Sequence, residues 1–173
     1  GVGVVVEDVL PLAPAALALL VLTGNAGDGE TVTIAGKTYT FETGTLDDNE
    51  DPIIETDEDG YVLIGASAAA SLANLIAAIT LDDGAGVVYA DATTEHPDVT
   101  AAAGEGSSMW VEAKRAGDAA HTLALAETLA AGYWNGPTLR GSLPAVRFVA
   151  AITPGTGRIQ LYRNGQLIAD VRA

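Results

Sequence analysis

Residues 31–41, TVTIAGKTYTF, alternate apolar and hydroxyl-bearing side chains on either side of Gly36. A strand repeats every two residues, so this run puts Val32, Ile34, Tyr39 and Phe41 on one face and threonines on the other. A two-residue turn at Gly36-Lys37, with glycine where positive φ is needed, would set Ile34 against Tyr39 and Val32 against Phe41. Thr33 and Thr40 would then pair on the opposite face. One apolar face and one hydroxyl face are what a sheet needs to cover a core on one side only, and the rest of the fold must be built around such a sheet.

The remaining segments fit that demand. ALALLVLTG (16–24) suits a buried first strand closed by the turn-rich GNAGDG, and YVLIG (61–65) a short apolar strand. In ASAAASLANLIAAIT (66–80), Leu72, Leu75, Ile76 and Ile79 fall at i, i+3, i+4 and i+7, the apolar stripe of an amphipathic helix, with Ser67 as its N-cap. Its alanines favour helix and allow close approach to a sheet. VVYADATTEHPDV reads as loop with a little strand. VTAAAGEGSSMWVEAKRAG reads as a second hairpin, with Met109, Val111 and Ala113 on one face and Trp110 and Glu112 on the other. HTLALAET adds a strand. The tail from Ala145 offers three more, the last two joined by Asn164-Gly165, a strong hairpin signal. The expected class is α+β: a mostly antiparallel β-sheet with one principal amphipathic helix packed on it. The expected organisation is a lead-in (1–15), a module (16–141) and a C-terminal β-hairpin appendage (142–173).

Charge narrows the partners. Residues 1–139 carry three basic and 22 acidic side chains, net −19, whereas residues 140–173 carry Arg140, Arg147, Arg158, Arg163 and Arg172 against Asp170 alone, net +4. A chain of net charge −15 is a poor nucleic-acid binder, because phosphate affinity comes from Lys and Arg that release counterions. The five arginines either pair with acids of their own domain or form an interface to an acidic neighbour. Cysteine is absent, which excludes disulfides and thiolate chemistry. The longest apolar run, residues 9–22, is short for a membrane span and broken by Pro11 and Pro14, while Glu7 and Asp8 before it argue against a secretory signal. The chain is expected to be soluble, with no membrane partner.

Candidate chemistry is sparse. Asp47, Asn49, Asp51 and Glu58 occupy spacings 1, 3, 5 and 12 of an EF-hand-like calcium loop, but Pro52 stands where the loop needs glycine. These four residues are a weak calcium candidate in a solvated acidic loop, 44–60. His96 and His121 each lack a second nitrogen ligand at i+3 or i+4. His121, Asp118 and Ser107 or Ser108 supply the residue types of a hydrolase triad without a nucleophile elbow. GEGSSM and GNAGDG lack the strand-to-helix context of a phosphate loop. Trp110 and Trp134, in a chain with 5% aromatics, suit core or interface anchors better than a sugar site. No catalysis and no cofactor are expected.

Five phrases stand in order: LTGNAGDGETVTIAGKTYTF, VLIGASAAASLANLIAAI, TTEHPDVTAAAG, VEAKRAGDAAHTLALAET and WNGPTLRG. Together, over residues 20–141, they resemble a module that recurs in structural proteins of tailed bacteriophages and prophages; AKRAGDAAH is similar to that family's AKTAGTAGN. The resemblance implies a non-enzymatic virion component of head or tail, partnered by copies of itself and by other virion proteins such as the major capsid protein. It extends neither to the inserted DDNEDPIIETDED nor to the arginine-bearing tail. An acidic protein inside a packaged head would be repelled by DNA, which favours an outward-facing capsid decoration protein. A tail or tail-fibre protein is the alternative. A host-glycan-binding module is a third reading, since IQLYRNGQLIADV resembles hairpins of laminin-G-like sandwiches.

Overall fold

The computed structural model describes residues 15–47, 49–50, 52–115, 120 and 122–140, together with the backbone of two strands within 158–172. These residues form an α+β, mostly β fold that divides into two compact units, one within Pro14–Ser142 and one containing the C-terminal strands.

In the larger unit, strands β1 (Leu17–Leu22), β2 (Thr31–Ile34), β3 (Lys37–Glu42), β4 (Thr45–Leu46), β5 (Pro52–Ile53) and β6 (Tyr61–Leu63) precede helix α1 (Ala68–Thr80). Strands β7 (Val99–Ala103), β8 (Ser108–Ala113), β9 (Leu125–Glu127) and β10 (Gly132–Trp134) follow it. Two four-stranded sheets result, ordered β10-β1-β8-β7 and β6-β3-β2-β9. Both sheets and the helix feed one core: Ala18 and Leu20 of β1, Val32 and Ile34 of β2, Tyr39 and Phe41 of β3, and Leu72, Leu75 and Ile79 of α1 lie in a single buried cluster. Ile76, the fourth residue of the expected stripe, is partly buried against it. The helix begins where Ser67 accepts from the Ala70 amide at 3.2 Å and ends at Leu81, whose left-handed backbone stops the spiral.

Three local expectations are corrected. The hairpin turns at Ala35-Gly36, φ 49° and 87°, one residue earlier than expected. Val32 therefore opposes Tyr39, and Thr33 opposes Thr38, their hydroxyls 2.9 Å apart. Moving a two-residue turn by one residue shifts the pairing by two, so the expected apolar face survives intact. Strand β1 is buried on one face only: Ala18, Leu20 and Leu22 point inward, whereas Leu17 is exposed. The acidic segment is not a loop without regular structure, since β4 and β5 pair within it. It also performs a topological task. Strands β3 and β6 run parallel, which requires a long crossover, and the acidic segment is that crossover.

In the C-terminal unit, β11 (Arg158–Arg163) and β12 (Gln166–Arg172) pair antiparallel with an irregularity between Leu161 and Tyr162. The first of the three expected tail strands and the Asn164-Gly165 turn lie outside the described residues. Among the described residues no helix is long and apolar enough to cross a membrane.

Candidate interaction surface

Among the described residues, the calcium candidates Asp47, Asn49 and Glu58 do not converge into a shell. Asn49 donates its amide to Asp47 Oδ1 at 2.8 Å, and Pro52 pairs with Leu46 across the β4–β5 hairpin. The chain therefore doubles back after Asp47 instead of wrapping a cation. Glu58 stands beyond the hairpin, its carbonyl accepting from the Tyr61 amide, and Asp51 lies outside the described residues. Among the described residues no group of three or more His, Cys, Asp or Glu side chains is placed to hold a metal. Calcium affinity is expected to be weak; a saturable micromolar site in calorimetry, lost in Asp47→Ala, would contradict this.

Several carboxylates in and beside the acidic segment are structural acceptors. Glu42 Oε1 takes the amides of Glu55 and Thr56 at 2.6 and 2.9 Å, and Asp57 Oδ1 takes that of Ala92 at 2.8 Å. Lys37 Nζ donates to Asp59 Oδ1 at 2.7 Å and to the Thr94 carbonyl at 2.6 Å. Burial works to raise the Asp59 pKa, but hydrogen bonds from Lys37 and Thr94 and the ammonium charge bring it below its ordinary value. This lysine-centred junction escaped sequence reasoning because its members are far apart in the chain and match no motif. Tyr39, beneath the Lys37 ammonium, keeps its hydroxyl buried without a hydrogen-bond partner among the described residues. Burial first, and the Asp59 charge second, push its pKa up.

His96 is fully buried, with Nε2 2.9 Å from the Ile34 carbonyl and Nδ1 facing the amides of Asp98 and Val99. His121 and Asp118 lie outside the described residues, and the Ser108 hydroxyl is turned to the Glu105 carbonyl at 2.7 Å. Trp134 is half-buried, its indole N–H donating to the Ala126 carbonyl, and so serves the packing.

Trp110 is different. It stands on the outer face of the β10-β1-β8-β7 sheet, 42% exposed, opposite Leu19 of β1 and Ala102 of β7. Leu17, 39% exposed, opposes Glu112 on the same face, and Tyr133, 49% exposed, opposes Val21. Side chains alternate, so the residues that bury Ala18, Leu20, Met109 and Val111 on one side necessarily present Leu17, Leu19, Val21 and Trp110 on the other. Sequence reasoning placed Trp110 and Glu112 on this face but missed its width. Leu17, Leu19 and Val21 fall in the expected buried first strand, and no strand is expected at Tyr133.

Of the five candidate interface arginines, Arg140 is exposed and its backbone bridges to β1, exchanging hydrogen bonds with Leu17 at 2.7 and 2.8 Å. Arg158 and Arg172 are opposite each other in the β11–β12 register, Arg163 is opposite Gln166, and Arg147 lies outside the described residues. No family model, curated protein or solved structure matches this chain.

Proposed function

We propose that the chain is a non-enzymatic structural protein of a tailed-bacteriophage virion, an outward-facing capsid decoration subunit. On this reading it associates with its own copies and with the major capsid protein through sheet-edge and arginine-mediated contacts. The observation that carries it is the exposed face bearing Leu17, Trp110 and Tyr133. Scattered surface apolar residues are ordinary, but a contiguous set on one sheet face is the mark of an interaction surface. The ordered phrases of residues 20–141 support the virion assignment. The switch from net −19 to net +4 supports contacts in which the tail arginines meet an acidic neighbour.

The test is particle binding. Arg158→Glu combined with Arg163→Glu is expected to weaken binding to capsids, and rising salt to weaken it in the parent chain, without loss of folding. If a chain lacking residues 142–173 assembles and binds particles like the full chain, the tail is no interface. A density map with symmetric copies on the capsid would support the decoration role, and copies confined to the tail would move the protein there. The solvent-facing rings of Trp110 and Tyr133 favour glycan binding as a second reading, which a glycan array tests directly.

A further inference from the structure

We infer that the free edge of β7, together with the Trp110 face beside it, accepts an extended strand from another polypeptide, apolar on alternate residues and flanked by Arg or Lys. The inference rests on the reading of the chain as an assembly subunit and names the surface and the chemistry of the segment it takes.

The ladder fixes which backbone groups are free. Lys114 donates its amide to the Asp98 carbonyl at 2.8 Å, and Gly104 donates to the Ser108 carbonyl at 2.9 Å. In an antiparallel pair such bonds recur at every second residue, so Thr100 and Ala102 turn towards β8 while Val99, Ala101 and Ala103 turn away. The Val99 amide meets His96 Nδ1 at 3.3 Å. The outward amides and carbonyls of Ala101 and Ala103 have no partner among the described residues.

Helix α1 packs against β7 without a hydrogen bond to these groups, whereas two other outer strands carry backbone hydrogen bonds on their outer sides. Strand β6 exchanges hydrogen bonds with Val88 and Ala90, and the β9 segment with Pro137 and Leu139. At five residues β7 is longer than β6, β9 or β10, each of three. Exposed edges are ordinarily blunted by Lys, Pro or a bulge, yet β7 reads VTAAA with an unbroken register. A strand added there would lay alternate side chains alongside Ala102 and Trp110, continuing the exposed apolar face.

Charge selects the occupant. Glu95, Asp98 and Glu105 flank β7 and Glu112 lies in β8, against Arg115 and a Lys114 already paired with Glu95 at 2.5 Å. Residues 14–142 as a whole hold 20 acidic and four basic side chains, so a second β7 approaching edge to edge would bring like charge to like. A segment with basic ends meets complementary charge instead.

The probe is a short synthetic peptide of alternating Val and Thr with Arg at each end, added to the full-length protein and followed by amide NMR. Expected are shifts of the Trp110 indole, slowed exchange of the Ala101 and Ala103 amides, and binding at least about tenfold weaker for the same peptide ended in Glu. Ala103→Pro removes one outward N–H without touching the ladder to β8 and should also weaken binding about tenfold, the worth of a lost hydrogen bond or two. A peptide N-methylated on alternate residues makes the same test with the protein unaltered. No protection at Ala101 and Ala103, or equal binding by N-methylated and parent peptides, would overturn the inference. So would a dimer joined β7 to β7 that Ala103→Pro abolishes, which would make the occupant the same acidic edge of a second copy. Peptide binding without particle binding would leave this inference standing and remove the virion reading; the converse would do the reverse.

Discussion

Replacing Leu75 by Ala is expected to destabilise the protein by about 2–5 kcal/mol, the range for a fully buried leucine whose cavity does not collapse. Leu75 has no solvent exposure and lies in the cluster that contains Val32, Ile34, Tyr39 and Phe41 of the hairpin. Alanine is the better helix former, but its propensity advantage over leucine is a few tenths of a kcal/mol and cannot offset the lost packing. The measurement is urea unfolding with an unchanged slope, so that the shift in midpoint reports stability alone. Val87→Ala, at a position 49% exposed, serves as the control and should stay within about half a kcal/mol of the parent. A Leu75→Ala loss as small as the control's would mean that α1 does not cover the sheets.

What was legible in the sequence follows from the range over which each signal acts. The faces of the β2–β3 hairpin, the Ser67 cap and the Leu72–Leu75–Ile79 stripe are set by periodicity and capping within one element, and all three stand in the structure. The turn was misplaced because both Gly36-Lys37 and Ala35-Gly36 put Gly36 at a positive-φ position; Ala35 itself adopts φ 49°, which alanine rarely does. The parallel pairing of β6 on β3 and the Lys37–Asp59–Thr94 junction depend on residues brought together only by the crossover, so nothing local announces them. The same holds for the interaction surface. Trp110 could be assigned to the outer face of its own strand, but that Leu17, Leu19, Val21 and Tyr133 share the face is decided by the order β10-β1-β8-β7.

Acidification is expected to destabilise the fold from about pH 6.5 downward through His96, and His96→Leu to cost roughly 2–5 kcal/mol at neutral pH. The ring joins several elements. Nδ1 faces the Asp98 and Val99 amides at 3.2 and 3.3 Å, which makes it the acceptor and leaves Nε2 to donate to the Ile34 carbonyl. The backbone amide of His96 bonds the Ile79 carbonyl of α1, and Lys114 Nζ donates to the His96 carbonyl. A proton on Nδ1 would set a donor against two donors inside the core. Burial, the largest influence, lowers the His96 pKa; the Ile34 hydrogen bond and Asp98 oppose it, while Lys37 and Lys114 add to it. Tyr39, stacked on the ring at 6.4 Å, is neutral throughout this range. With the folded pKa below the unfolded value of 6.5, the unfolded chain takes up protons first. Stability is therefore full above 6.5 and declines as pH falls towards the folded pKa. The Asp59 carboxyl, also lowered, adds a separate loss that begins only near its ordinary value of 3.8. Leucine in place of His96 leaves the Ile34 carbonyl and two amides without their side-chain partner, which sets the size of the neutral-pH loss. Urea melts of both proteins at about pH 7 and pH 5 separate the effects, and His121, present in both, cancels. The parent should lose stability between the two conditions and the variant markedly less; a parent equally stable at both would show that the buried ring accepts its proton without cost.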